Sequence, residues 1–277
     1  MKPQRVFITG GASGLGRELA LHYARAGASV LIGDIDDDRG QALVKDLVRM
    51  GVRSHYLPCN VREEADLQRA ADWLRANWGG VDVLYNNAGV AQMGPIADVS
   101  LDDWQWVVDI NLLGVVRGCK VFTPMLRAQG SGKIVNVASM AGLLHLPKAA
   151  AYNATKAAVV ALSETLQLEL ARDNIYVSVA CPAFFRTDLA KHMRASDAES
   201  ERFTKRLVER ARVGPEEIAR KIANGVARGD THILTHADSL KAWRMKRYLP
   251  YAWYLRLIGR QVAKIEARMQ QRKEVAA

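Results

Sequence analysis

Cysteine is scarce in this chain. Its three cysteines, Cys59, Cys119 and Cys181, are odd in number and far apart among 277 residues. That spacing excludes a disulfide framework and any cysteine-based metal site, and it suits a reducing, cytoplasmic setting. Long apolar runs are also missing, since none reaches the roughly 18 residues of a membrane-spanning helix. Met1 to Arg5 leads straight into an apolar strand pattern, so no signal peptide is expected. With 49% hydrophobic and 25% charged residues, the composition fits neither a disordered chain nor a membrane bundle. Negative charge is thin in one place. From Lys241 to Ala277 ten Lys/Arg face two Glu, so this segment alone carries +8 of the net +10. No recognition motif accompanies the charge, and nucleic acid is not expected as a partner.

What is present has the size of one α/β domain with an elaborated end. Arg5 to Thr9 is a short apolar run that leads into Gly10-Gly11-Ala12-Ser13-Gly14-Leu15-Gly16, and a helical pattern follows to about Ala26. A strand, a glycine turn and a helix N-terminus present backbone amides to a phosphate pair. Gly-rich turns also close many βα units that bind nothing. The second strand, Ser29 to Gly33, ends at Asp34. A carboxylate there accepts hydrogen bonds from ribose hydroxyls and repels a 2′-phosphate. No Lys or Arg stands at Ser13 or Ile35 to clamp such a phosphate, which favours NAD(H) over NADP(H).

His55 to Cys59 reads as a third strand, followed by Asn60-Val61 and a helix from about Glu63 to Trp78. Asn60 stands where its amide could read an adenine edge. Val81 to Tyr85 reads as a strand and leads into Asn86-Asn87-Ala88-Gly89. Those small residues and amides suit a flat ligand, or simply a turn that ends the strand. Ser100 resembles the cap of a helix running to about Gln129, broken near Gly114 or Gly118. Asn111 lies inside it among apolar neighbours, where a buried amide must find hydrogen-bond partners.

Gly132 to Ser139 is a strand pattern ending in a hydroxyl, and a helix from about Ala149 to Arg172 carries Tyr152 and Lys156. Four residues apart, these two project from one helix face. A free tyrosine, with a pKa of roughly 10, is a poor base at neutral pH. A neighbouring ammonium favours the phenolate and brings it towards the working range. Ile175 to Ala180 is the sixth strand.

Together, Thr9-Gly10-x-x-x-Gly14-x-Gly16, Asn86-Asn87-Ala88-Gly89, Asn111, Ser139 and Tyr152-x-x-x-Lys156 resemble the short-chain dehydrogenase/reductase family in its shorter, non-extended branch. The motifs keep the family's order and spacing from about residue 3 to 235. The resemblance implies an α/β fold: a Rossmann-like, doubly wound parallel sheet of about seven strands with helices on both faces. It implies a nicotinamide cofactor held by Gly10, Ser13, Gly14, Leu15, Gly16, Asp34, Asn60, Val61, Asn87, Ala88, Gly89, Pro182, Phe185 and Thr187. Tyr152 and Lys156 would also touch that cofactor.

The implied catalytic tetrad is Asn111, Ser139, Tyr152 and Lys156. Tyr152 would be the general acid/base, and Ser139 would hold the substrate oxygen. Lys156 would bind the nicotinamide ribose and lower the tyrosine pKa, and Asn111 would hold a water that relays protons to Lys156. No metal is implied. Two departures stand out. Pro182-Ala183 replaces the family's usual Pro-Gly, and Asn60 replaces a more usual Asp.

The same resemblance places a substrate lid at about residues 183–213, within a catalytic domain of residues 1–237. Phe184, Phe185, Leu189 and Met193 there, with Met140, Leu143, Leu144, Leu146 and Met93, suggest an apolar small-molecule pocket or the packing of the loop itself. A helix from about Ser196 to Arg212 follows, then one opened by Gly214-Pro215-Glu216-Glu217 and running to Arg228.

Residues 238–277 read as a basic amphipathic helical extension. Tyr251, Tyr254, Leu255, Ile258, Val262, Ile265 and Met269 share one face, with Arg256, Arg260, Lys264, Arg268 and Arg272 opposite. Peripheral membrane contact through 243–272, packing on the body, and a subunit contact in a homodimer or homotetramer are the open readings.

The expected activity is NAD(H)-dependent interconversion of a secondary alcohol and a ketone, or of an alcohol and an aldehyde, on an apolar substrate by hydride transfer. The alternatives are a nucleotide-sensing or scaffolding relative, an NADP-dependent carbonyl reductase, and an epimerase or dehydratase using the same Tyr–Lys pair.

Overall fold

The computed structural model describes residues 3–260. Seven strands form one parallel sheet in the order β3-β2-β1-β4-β6-β7-β9. They are β1 (Arg5–Thr9), β2 (Ser29–Asp34), β3 (Ser54–Pro58), β4 (Val83–Asn86), β6 (Gly132–Val137), β7 (Ile175–Cys181) and β9 (His232–Leu234). Two short strands stand apart, β5 (Gln92–Met93) and β8 (Arg194–Ala195), paired in parallel with each other.

The helices are α1 (Gly14–Arg25), α2 (Asp37–Arg49), α3 (Glu64–Trp78), α4 (Leu101–Val108), α5 (Gly114–Gln129), α6 (Ala150–Leu170), α7 (Ala198–Glu209), α8 (Pro215–Arg228) and α9 (Ala237–Tyr248). The chain divides into a body ending at Thr235 and a second unit from His236.

The central strands read as near-continuous apolar runs because both faces are covered, as parallel sheets require. Every residue of β2 is buried, and so are Val6, Phe7, Ile8 and Thr9 of β1. Helix α1 packs against α2 and α8, while α3 packs against α5, and α4 against α6. Strand order reverses between β1 and β4, and ligands of open α/β sheets bind in the crevice beyond the strand ends at such a switch point. The Gly10–Gly16 turn, Asp34, Asn86–Gly89, Ser139 and Pro182–Thr187 all follow those carboxyl ends.

One sequence expectation changes in detail. The segment from Ser100 to Gln129 breaks neither at Gly114 nor at Gly118. It widens into a π-helical turn over Asp109–Leu113 and resumes at Gly114. The helix α2, after Asp34, follows an Asp36 cap whose side chain accepts from the Arg39 amide. The pair β5–β8 has no sequence signature, because two residues are too few to show alternation.

Among the described residues no helix is long and apolar enough to cross a membrane. The predicted tail face beyond Arg260 lies outside the described residues.

Candidate active site

The cofactor side is built on Thr9. Its hydroxyl accepts from the amides of Asn87 and Ala88 at 3.0 and 3.1 Å. The Asn87 side chain returns the bond to the carbonyls of Thr9 and Gly10, at 2.9 and 3.0 Å. The turn after β1 is thus sewn to the turn after β4. Gly10 sits at φ +61°, and a Cβ there would lie 2.8 Å from the Ala88 Cα. A Cβ on Gly16 would collide with the Gly10 carbonyl.

Ser13 caps α1 in extended geometry without a side-chain bond to the first-turn amides, and no acid stands in that turn. Those amides remain for a phosphate pair. A cavity of about 560 Å³ opens beside them, lined by Gly14, Arg17, Arg186, Thr187 and Asp188 among others. The residues present therefore fit a dinucleotide.

Asp34 is nearly buried. One carboxylate oxygen accepts from the Ala12 amide at 2.8 Å, and the other from the Ile35 and Asp36 amides at 2.8 and 3.1 Å. The acid therefore also locks the glycine turn. Asn60 uses its side-chain carbonyl on the Arg62 amide at 3.1 Å, so an adenine edge would meet its NH2 group.

Several predicted cofactor contacts are structural through their side chains. Leu15 and Phe185 lie in the main hydrophobic core. Val61 is buried against Gly114, where an added Cβ would stand 2.9 Å from it. Thr187 differs: its hydroxyl would lie 2.9 Å from a Cβ on Gly14, which brings the segment after β7 against the glycine turn. Ala183 fits without strain, because among the described residues only Lys148 and Asn174 are non-glycine residues at positive φ.

On the catalytic side, Ser139 ends the segment after β6. Its hydroxyl accepts from the Ala141 amide at 3.1 Å, donates to the Pro182 carbonyl at 3.4 Å, and acts to lower the pKa of the Tyr152 phenol. Lys156 is buried under that ring, its Nζ 5.8 Å from the ring centroid. A Cβ on Gly89 would lie 3.1 Å from Asn111 Oδ1 and 3.4 Å from Lys156 Nζ, so the four predicted residues do converge.

Two roles shift. The Asn111 side chain pairs with the Val90 peptide in both directions, at 2.8 and 2.9 Å. Its NH2 group also approaches the Thr155 hydroxyl at 3.5 Å, so the side chain is held in place by the protein itself. Burial pushes the Tyr152 phenol above the usual tyrosine value, and the Ser139 hydrogen bond pulls it partway back. The expected lowering by Lys156 does not dominate here. Burial pulls Lys156 itself down to about 8, so its charge is weakened in the same enclosed space.

The apolar candidates divide. Met93, Met140 and Leu143 are buried in loop packing, whereas Leu144, Leu146, Phe184, Leu189 and Met193 keep accessible surface. A buried polar chain behind the site has no local sequence signature. In it Asn86 donates to Asn136 at 2.9 Å, and Asn136 donates to Ser163 at 3.0 Å. It joins β4, β6 and α6, and only the strand register could have revealed it.

Residues 4–198 match the short chain dehydrogenase family. The Mycobacterium tuberculosis protein SadH, named as an oxidoreductase, is 33% identical over 264 residues, 93% of this chain and 94% of its own. A cyclopentanol dehydrogenase of Comamonas testosteroni is 34% identical over 188 residues, 68% of this chain and 75% of its own.

Among solved structures, a short chain dehydrogenase/reductase from Burkholderia phymatum in complex with NAD has a TM-score of 0.85 and 32% identity, covering 89% of this chain and 93% of that one. One from Sphingobium yanoikuyae in complex with NADPH has a TM-score of 0.74 and 26% identity, covering 95% of each. Motifs, sheet order and these likenesses agree, and the chain belongs to the short-chain dehydrogenase/reductase family of oxidoreductases.

Proposed function

We propose that the protein is an NAD(H)-dependent dehydrogenase/reductase that interconverts a secondary alcohol and a ketone on an apolar substrate. The convergence of Asn111, Tyr152 and Lys156, with the Lys156 Nζ 5.8 Å from the Tyr152 ring centroid and Ser139 favouring the phenolate, carries this reading. In the oxidative direction the Tyr152 phenolate takes the alcohol proton, while the Ser139 hydroxyl fixes the substrate oxygen against it. In reduction the neutral phenol returns that proton. A bound nicotinamide ring supplies the hydride acceptor or donor. Lys156 holds the ribose, while burial and Ser139 set the balance of the phenol.

Asp34 supports NAD(H) over NADP(H), because its carboxylate stands where a 2′-phosphate would arrive. The accessible surface of Leu144, Leu146, Phe184, Leu189 and Met193 supports an apolar substrate. The cyclopentanol dehydrogenase relative is in keeping with that class.

The test is a screen of hydrophobic secondary alcohols followed by NADH absorbance. The expected result is turnover with NAD exceeding that with NADP, and loss in Tyr152→Phe by about 10²–10⁴-fold. A Tyr152→Phe enzyme that keeps its rate on a confirmed substrate would overturn the mechanism.

A further inference from the structure

The second unit presents a surface that the oxidoreductase site does not use. Helix α9 runs to Tyr248, Pro250 follows, and residues 251–260 are again helical, with the Trp253 and Tyr254 amides bonded to the Pro250 carbonyl. Each helix repeats one arrangement. Lys241, Arg244, Met245 and Tyr248 stand at i, i+3, i+4 and i+7, and so do Trp253, Arg256, Leu257 and Arg260. Residues at these spacings share a helix face. All eight are exposed, Tyr248 at 78% and Trp253 at 64%. Each face therefore offers water two cations, one aromatic ring and one aliphatic side chain.

Charge and composition indicate the occupant. Residues 239–260 contain six Lys/Arg and no Asp or Glu. A second copy of the same surface would bring like charges together. Exposed Tyr and Trp, amphipathic in themselves, sit at the headgroup level of a bilayer, and Lys and Arg reach the phosphates beside them. The expected stripe from Tyr251 through Ile258 is only partly available, because Tyr254 is buried. The surface left exposed is thus a mixed one, suited to the headgroup zone and too polar for the hydrocarbon core.

We infer that the faces 241/244/245/248 and 253/256/257/260 dock the protein on an anionic lipid bilayer, peripherally and reversibly.

Sedimentation of the full-length protein with vesicles tests this. Vesicles of phosphatidylcholine with about one third phosphatidylglycerol should carry the protein down at low salt and release it as salt screens the charge. Pure phosphatidylcholine should not. R256Q/R260Q and Trp253→Ala should each weaken binding by about tenfold or more, with circular dichroism and thermal midpoint unchanged. No sedimentation with anionic vesicles would overturn the inference. So would equal binding to neutral vesicles, or full binding by both variants. Binding to duplex DNA or RNA without vesicle binding would assign the surface to nucleic acid instead. A drop in native mass in either variant, again without vesicle binding, would assign it to a copy of the chain.

Discussion

Lys156 gives its Nζ hydrogen bond to the Val137 carbonyl at 2.9 Å, a neutral acceptor at the end of β6. Burial outweighs that bond, and the amine sits near 8 instead of 10.5. The consequence for stability has a definite sign. Above the unfolded value the folded and unfolded states both hold a neutral amine. As pH falls towards 8 the unfolded chain takes up the proton first, and folding loses free energy. Wild type should therefore gain stability relative to Lys156→Met between pH 8 and 10, by up to about 3 kcal/mol. Parallel urea midpoints for the two proteins across that window would refute the buried-amine reading.

Tyr152 is raised by burial and relieved by Ser139. Removing the relief in Ser139→Ala should move the alkaline-rising limb of alcohol oxidation to higher pH. At pH 7 oxidation should also slow by roughly tenfold or more, since a hydrogen bond to a charged group is worth about 1.5–3 kcal/mol. The measurement is kcat/KM against pH for wild type and variant. An unshifted limb would mean that Ser139 positions substrate without tuning the phenol.

Asp34 holds the Ala12 amide, and the proposed function gives it a second duty at the cofactor ribose. Asp34→Asn removes the charge and keeps one acceptor, but turns an NH2 donor towards backbone amides that the second oxygen served. It should raise the KM for NAD a few-fold, lower that for NADP, and lower the thermal midpoint. Asp34→Ala should lower the midpoint too, because the Ala12, Ile35 and Asp36 amides all lose their side-chain partner. Cofactor preference that stays the same in Asp34→Asn would mean another residue sets it.

The parts of the site legible in the sequence are those whose chemistry is local. A glycine turn after a strand, an acid at the next strand end and a Tyr-Lys pair at helical spacing name themselves. How each side chain is engaged was not legible, because that depends on residues far away in the chain. Asn111 spends its amide on Val90, Phe185 turns into the core, and Asn86 joins a polar chain through β6 to α6. The π-helical turn at Asp109–Leu113 was hidden for a related reason: a one-residue widening changes no composition and barely disturbs the apolar period. The pKa balance at Tyr152 departs from the expectation because spacing shows a neighbouring charge but not the burial that opposes it.

The lid supplies the last expectation. Its base is closed by Arg186, whose guanidinium donates to the carbonyls of Ala211 and Arg212 at 2.8 and 3.2 Å. Its middle is pinned by Arg194. That guanidinium lies 4.1 Å from the Trp106 ring centroid and donates to Asp103 at 2.9 Å, while the Arg194 amide bonds to the Ala91 carbonyl at 3.0 Å. Ala91 follows Val90, the partner of Asn111, so the latch meets the site within one residue. Exposed ion pairs and cation–π contacts each contribute only about 0.5–1 kcal/mol. Arg194→Ala should therefore leave global stability almost unchanged while the lid opens more often. KM for the alcohol should rise a few-fold, and protease cleavage within residues 186–213 should become faster. If product release limits turnover, kcat should increase in the same variant. Arg194→Lys, which keeps the charge but loses the planar stack, should fall between the two. Unchanged cleavage in Arg194→Ala would show that the β5–β8 backbone pairing alone holds the lid.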